Sequence, residues 1–129
     1  MEKERIVERL SKVDGLVAAY LFGSRARGSG SADSDVDVAL WLREAPATFE
    51  AFPLELAGEL EQALGLAVDV VVLNRAPTDL IHRVLRDGIL LLERDRSARI
   101  AFEVKARAEY FDLLPIRNAY RYPRRGLRP

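Results

Sequence analysis

Apolar and polar positions follow two different spacings along this chain. Ile6, Val7 and Leu10 recur at helical spacing among charged residues, which is typical of a helix with one buried face. Other segments are short apolar runs or alternate with a period of two, as strands do. These patterns predict helices over residues 2–13, 48–64, 77–87 and 96–114, and strands over residues 16–22, 35–42, 67–73 and 89–93. This mixture of elements predicts an α+β fold.

Glycine, proline and capping residues divide the predicted elements. Gly15 and Gly23 bound the first strand, and Thr48 is placed to cap the second helix. Pro115 is expected to end the last helix, because proline lacks the N–H that a helix interior needs. We therefore expect one domain over residues 1–114, followed by a basic, proline-containing tail over residues 115–129.

The segment that follows the first strand is small, polar and rich in glycine and serine. Gly23 and Ser24 come directly after the strand, where small residues let the backbone approach a ligand closely. A helical turn is predicted over residues 25–27. If Ser24 begins it, the hydroxyl and the next N–H groups form a nest for phosphate oxygens. Arg25 and Arg27 are close enough to neutralise a triphosphate or a leaving pyrophosphate. A glycine–serine pair alone is more typical of an ordinary turn.

Three aspartates interrupt strands at positions that a purely structural role explains poorly. Asp35 and Asp37 are two residues apart on one predicted strand, so their side chains share a face. Asp69 interrupts another strand that is otherwise rich in valine. If these two strands are neighbours, three carboxylates converge on one patch. An Asp-x-Asp pair alone more often forms a solvated strand face, and the position of Asp69 argues against that interpretation.

Converging carboxylates are typical of a site for a hard cation. Mg²⁺ prefers oxygen ligands and is usually held by one or two carboxylates together with substrate phosphates. A pair of such ions can stabilise both the attacking and the leaving oxygen of an in-line displacement. The three aspartates are therefore candidate ligands for two Mg²⁺ ions.

Composition narrows the classes of function. Twenty basic residues balance twenty acidic residues, which argues against a general nucleic-acid binder. The absence of cysteine excludes thiolate catalysis and cysteine-ligated zinc. The charged N-terminus lacks a signal-peptide pattern, and no apolar run is long enough to span a membrane. We expect a soluble, cytoplasmic protein.

The order of these motifs is more specific than any one of them. Gly23-Ser24, ten further residues and then Asp35-Val36-Asp37 resemble the signature of the DNA polymerase beta-type nucleotidyltransferase superfamily. The fuller stretch over residues 21–38 is similar to the minimal nucleotidyltransferases of the MNT group. These are the antitoxins of two-gene systems whose toxin is a helical HEPN ribonuclease. Asp69 falls where that superfamily has its third carboxylate.

The resemblance implies a nucleotidyltransferase fold, with a small mixed β-sheet and flanking helices in a single domain. It implies that Gly23 and Ser24 hold the triphosphate of ATP, that Asp35 and Asp37 bind Mg²⁺, and that Asp69 is a third ligand that helps to activate the acceptor hydroxyl. The implied reaction is transfer of AMP to a tyrosine hydroxyl of a HEPN-type toxin, with which the chain would form a hetero-oligomer. The size of the chain agrees with an acceptor presented by a partner, since little of it remains outside the catalytic domain.

Two alternatives stay open at this level. The chain could be a non-catalytic antitoxin that masks its toxin, which an exposed apolar patch on the last helix would favour. It could also transfer a nucleotide to an RNA end, against which the zero net charge counts.

Two other residues fit structural roles better than chemical ones: Trp41 is expected to pack under a helix, and the single histidine, His82, is expected at a helix surface or core edge.

Overall fold

A computed structural model describes residues 2–27, 35–44 and 51–121 of the chain. Five helices and four strands are assigned within these residues. The helices are α1 (Glu2–Leu10), α2 (Ser24–Arg27), α3 (Ala51–Leu64), α4 (Thr78–Asp87) and α5 (Arg96–Arg121). The strands are β1 (Leu16–Phe22), β2 (Val36–Leu42), β3 (Val68–Val72) and β4 (Ile89–Glu93).

The four strands form one mixed sheet in the order β3-β2-β1-β4. β1 pairs antiparallel with both β2 and β4, whereas β2 and β3 run parallel. The parallel pair is possible because α3 returns the chain between its two strands, as a parallel connection requires. The predicted α+β fold with a small mixed sheet and flanking helices is confirmed.

Both faces of the sheet are covered, which explains the nearly continuous apolar sequence of the central strands. On one face, Val36, Val38 and Leu40 of β2 pack with residues of α1 and α3, including Ile6 and Leu60. The opposite face carries a second cluster under α4 and α5. Its buried members are Val17, Ala18, Tyr20, Ala39, Trp41, Leu73, Ile81, Val84 and Ala106. The period of two in β2 therefore divides its side chains between two cores, as the alternation predicted.

Trp41 lies beneath α5 and is buried. Its ring stacks on that of Phe102, with 4.9 Å between the ring centroids. The prediction that Trp41 packs under a helix is confirmed.

A buried glutamate attaches α5 to the sheet. The hydroxyl of Tyr20 donates to Glu103 Oε2 at 2.5 Å, and Arg99 Nη1 donates to the same oxygen at 2.8 Å. Arg99 also pairs with Glu93 at the end of β4. Burial, followed by the bond to Glu103, raises the pKa of the Tyr20 phenol. The helix is thus held to the two strands β1 and β4 by polar contacts as well as by apolar packing.

Several predicted boundaries need correction. The first helix ends at Leu10 rather than at residue 13, and β2 begins at Val36, so Asp35 precedes the strand. β3 begins at Val68, one residue later than predicted, and it ends at Val72 because Leu73 begins a single 3-10 turn, Leu73–Arg75. The expected cap at Thr48 and residues 122–129 of the expected tail lie outside the described residues.

The prediction that α5 ends before Pro115 is wrong, because the helix continues through this residue to Arg121. Proline removes one helical hydrogen bond and crowds the carbonyl four residues earlier. Pro115 is exposed, so water can solvate the carbonyl that loses its partner. Within the described part of the chain, no helix is long and apolar enough to cross a membrane.

Candidate active site

The topology brings the three predicted carboxylates to one end of the sheet. This end, where β1 ends and β2 and β3 begin, is called the carboxylate edge below. β1 ends at Phe22 where antiparallel β2 begins, and parallel β3 begins at the same edge. In the strand register, Asp37 lies opposite Asp69 on one side and opposite Phe22 on the other. Asp35 is exposed and directly precedes β2. The condition stated from sequence, that the two aspartate-bearing strands are neighbours, is therefore met.

The three carboxylates influence one another electrostatically. Burial raises the pKa of Asp37 above its usual value, and the neighbouring charges of Asp69 and Asp35 raise it further, in that order. Asp37 is half-buried, whereas Asp35 and Asp69 are exposed. An arrangement that raises the free energy of an ionised carboxylate in this way favours a cation beside it.

Gly23 is required by two features of its surroundings. Its φ of +78° lies in the left-handed region that side chains disfavour. In addition, a Cβ at this position would clash with Asp37 Oδ2 and lie 3.2 Å from Asp37 Cγ. The glycine thus lets the turn after β1 pass directly against the most buried of the three carboxylates.

Ser24 is the first residue of α2, as the phosphate-nest interpretation requires. The first turn of a helix directs backbone N–H groups outward from its N-terminus, an orientation that suits an anion. This turn lies next to Gly23 and therefore next to Asp37. The turn that the sequence predicts to bind phosphate therefore adjoins the three aspartates at the same end of the sheet.

Arg25 lies at this turn, but its side chain is directed toward α1. Arg25 Nη1 forms an ion pair of 2.6 Å with Glu2 Oε1. A direct role for Arg25 at the triphosphate remains a prediction. The side chain of Arg27 lies outside the described residues, so its predicted role is equally a prediction.

Glu2 is a site neighbour that the sequence pattern did not reveal. Its partner Arg25 is 23 residues away, and both are charged residues that a helix surface normally carries. The only local signal was an acidic residue in the first turn of α1. Such residues are usually explained by the helix dipole rather than by a distant arginine.

The chemistry of these donors fits Mg²⁺. Among the described residues, no three Asp, Glu or His side chains are already gathered into a metal cluster. The three aspartates nevertheless supply only hard oxygen ligands at an open edge, and their repulsion at Asp37 is what a divalent cation would relieve. Substrate phosphates commonly complete such a site, since Mg²⁺ rarely has a full set of protein ligands.

His82 takes no part in this cluster. Its ring stacks on Tyr110 with 3.7 Å between the ring centroids and 3° between the planes, and Phe111 contacts both rings by its edge. It is half-buried between α4 and α5, as expected for a helical histidine at a core edge.

Comparisons with known proteins agree with this geometry. The family model described as Polymerase beta, Nucleotidyltransferase matches residues 4–97. The protein adenylyltransferase MntA of Shewanella oneidensis is 30% identical over 120 residues, which cover 92% of this chain and 84% of that protein.

Solved structures agree over nearly the whole chain. A crystal structure of a toxin–antitoxin with AMP-PNP matches with a TM-score of 0.81 at 30% identity, over 93% of this chain and 95% of that one. A tri-AMPylated Shewanella oneidensis HEPN toxin in complex with MNT antitoxin contains a chain that matches with a TM-score of 0.76 at 28% identity, over 92% of each. The matched family model, the similar adenylyltransferase and the turn that adjoins the paired aspartates lead to one conclusion: this chain belongs to the polymerase beta nucleotidyltransferase family.

Proposed function

We propose that this protein transfers AMP from ATP to a hydroxyl, most simply a tyrosine hydroxyl, of a HEPN-type toxin and thereby acts as its antitoxin. The observation that carries the proposal is the meeting of Asp35, Asp37 and Asp69 beside the Gly23–Ser24 turn. The proposal is also supported by the similar MntA of Shewanella oneidensis, which is a protein adenylyltransferase. One structure with a similar chain contains AMP-PNP, and another contains a tri-AMPylated HEPN toxin.

Each residue at the sheet edge has a proposed role. Asp35 and Asp37 hold two Mg²⁺ ions together with the triphosphate, and Asp69 is the third ligand, on the outer strand where an acceptor can approach. Bound Mg²⁺ would supply charge neutralisation of the phosphates and of the developing negative charge. Gly23 and Ser24 receive the triphosphate through the first turn of α2.

The chemistry is a substitution at the α-phosphorus. The acceptor oxygen forms a bond to this phosphorus, the bond to the bridging oxygen of the β-phosphate breaks, and pyrophosphate leaves. The acceptor hydroxyl gives up its proton, and we assign the uptake of that proton to the exposed Asp69 carboxylate. The residues of this chain contribute mainly position and charge, as in phosphoryl transfer generally.

Arg25 and Arg27 are proposed to assist at the triphosphate. For Arg25 this requires the ion pair with Glu2 to be exchanged for a phosphate oxygen. We place the reaction in the cytoplasm, where ATP is available to a protein of this kind.

Masking of the toxin without catalysis is a second candidate, and one observation favours it. The last helix exposes large apolar side chains, including Val104 and Phe111. Such a patch suits a protein-binding surface whether or not AMP is transferred. Masking and adenylylation therefore share a surface and differ in the chemistry that follows.

The decisive experiment is the intact mass of the HEPN-type toxin after co-expression with this chain, followed by incubation with ATP and Mg²⁺. We expect a gain of one or more AMP units with the wild-type chain. Asp35→Asn and Asp37→Asn should each lower the transfer rate by about a hundredfold or more, because each removes a charged group that acts on the transition state.

Asp14→Asn is the matched control, since Asp14 is an exposed aspartate in the turn before β1. It should transfer AMP at the wild-type rate. Tight binding of the toxin with no change in mass would support masking. Full activity in both active-site variants would contradict the metal assignment.

A further inference from the structure

The last helix runs toward the carboxylate edge and extends past it. It begins at the opposite edge of the sheet, where Arg94 N–H donates to Val17 O at 2.8 Å and Arg43 pairs with Asp95. From there α5 passes Tyr20 at Glu103. Its 26 residues extend about 39 Å, whereas the seven residues of β1 extend about 23 Å. The C-terminal part of α5 therefore projects beyond the edge that carries Asp37.

An apolar stripe follows the outer side of this helix. Its five members, all of them exposed, are Ile100, Val104, Ala108, Phe111 and Pro115. They are spaced four, four, three and four residues apart, so they lie within an arc of about 80° around the helix. Val104 is 60% exposed and Phe111 56% exposed. The stripe lies opposite the side that buries Ala106 and Phe102 against the sheet.

One member of the stripe, Phe111, is ordered by contacts with neighbouring rings. Phe111 packs by its edge against His82 and Tyr110, so its exposed surface is held in place. A side chain that is fixed before binding loses little conformational entropy when a partner covers it. At Phe111, the stripe therefore offers a partner an apolar surface that is already ordered.

Spacing and charge indicate what covers this stripe. A narrow seam with intervals of three and four residues fits the seam of another helix. The sequence that follows contains five arginines and no acidic residue after Asp112. The five are Arg117, Arg121, Arg124, Arg125 and Arg128. A second copy of this chain in a parallel arrangement would bring these charges together, whereas a helix flanked by acidic residues would complement them.

We propose that the stripe Ile100–Val104–Ala108–Phe111–Pro115 is the docking surface for an acid-flanked helix of the HEPN-type toxin. This inference rests on the proposed function. Docking there places the toxin beside the edge that carries Asp37 and Asp69, where its hydroxyl can reach the transferred phosphorus. Binding of the toxin to α5 would thus also bring its hydroxyl to the site of transfer.

The test replaces exposed stripe residues by aspartate and measures three quantities. Val104→Asp and Phe111→Asp put a charge into the seam, and Leu54→Asp is the matched control, since Leu54 lies on α3 and is 73% exposed. The quantities are affinity for the HEPN-type toxin, affinity for AMP-PNP with Mg²⁺, and AMP transfer at saturating ATP. The self-association of each protein is determined by analytical ultracentrifugation.

We expect both stripe variants to weaken toxin binding by about 30-fold or more, as for central interface residues. AMP-PNP affinity should stay within twofold of wild type, and transfer should fall through a higher KM for the toxin. Leu54→Asp should resemble wild type in all three measurements.

Unchanged toxin binding by both stripe variants would overturn the docking surface. So would a wild-type dimer that these variants dissociate, because the stripe would then belong to a second copy. Failure of the proposed function gives a different result: toxin binding is lost in the stripe variants, but the wild-type chain adds no AMP.

Discussion

At Gly23, both the backbone conformation and the lack of space for a side chain require glycine. Its φ is +78°, and an added Cβ would clash with Asp37. Gly15 has nearly the same φ, +73°, but an added Cβ there meets nothing within 4 Å. Substitution of Gly15 by alanine therefore causes backbone strain alone, whereas the same substitution at Gly23 also displaces the Asp37 carboxylate.

We predict that Gly23→Ala and Gly15→Ala each destabilise the fold by about 1–2 kcal/mol, the usual cost of a left-handed conformation with a side chain. Only Gly23→Ala should also reduce AMP transfer, by about a hundredfold, because Asp37 must move. Thermal unfolding and kcat/KM for the toxin check the two parts. Equal activities in the two variants would show that Gly23 does not position Asp37.

At the scale of elements, strands were more predictable than their arrangement. A strand buried on both faces is a continuous apolar run, so β1 could be recognised from its sequence alone. The pairing of Asp37 with Asp69 depends on parallel contact between residues 32 positions apart, which no local pattern specifies. The motif order made the site residues plausible, and the sheet topology placed the aspartates together.

Long-range polar contacts were equally invisible in the sequence. The bond between Tyr20 and Glu103 spans 83 residues, and Glu103 is an ordinary helix former by local criteria. The end of α5 differs from the sequence prediction for a related reason: proline breaks most helices, but the effect of Pro115 depends on whether the freed carbonyl can reach water. Both features are decided by burial, which the folded chain determines.

Glu103 gives the clearest prediction about an element. Glu103→Ala removes the acceptor of both Tyr20 and Arg99 beneath α5, and we expect it to lower the free energy of unfolding by about 2–3 kcal/mol. Tyr20→Phe should cost about 1 kcal/mol, since it removes one hydrogen bond. Urea unfolding measures both values. Glu109→Ala, on an exposed glutamate of the same helix, should leave stability nearly unchanged, and a similar result for Glu103→Ala would contradict this role.

At the scale of the whole molecule, zero net charge conceals an uneven distribution. Three aspartates lie near one another at one end of the sheet, while all the charged residues after Asp112 in the sequence are arginines. The aspartates suit a metal-bound nucleotide, and the arginines suit an acidic partner. The two proposed ligands would therefore bind different, oppositely charged parts of the chain. These three aspartates should also make the fold less stable when no cation is bound, because the repulsion at Asp37 is then not relieved.

This cost can be measured by thermal unfolding of wild type and Asp37→Asn without metal. The pKa of Asp37 is raised in the folded state, so its ionised form is less favourable there than in the unfolded chain. Asp37→Asn should therefore raise Tm at pH 7. The difference should shrink as the pH falls toward the raised pKa, because protonation then removes the same charge from the wild-type protein.

Mg²⁺ with AMP-PNP should reverse this order. A ligand at a hundred times its Kd stabilises the folded state by about 2.7 kcal/mol, and the wild-type chain should gain this stabilisation while Asp37→Asn gains little. Asp14→Asn controls for loss of a surface aspartate and should follow wild type in both conditions. Equal stabilisation of Asp37→Asn and wild type by the Mg²⁺ complex would show that Asp37 does not bind the cation. A lower Tm for Asp37→Asn without metal would show that its carboxylate supports the fold through contacts that outweigh the repulsion from Asp69 and Asp35.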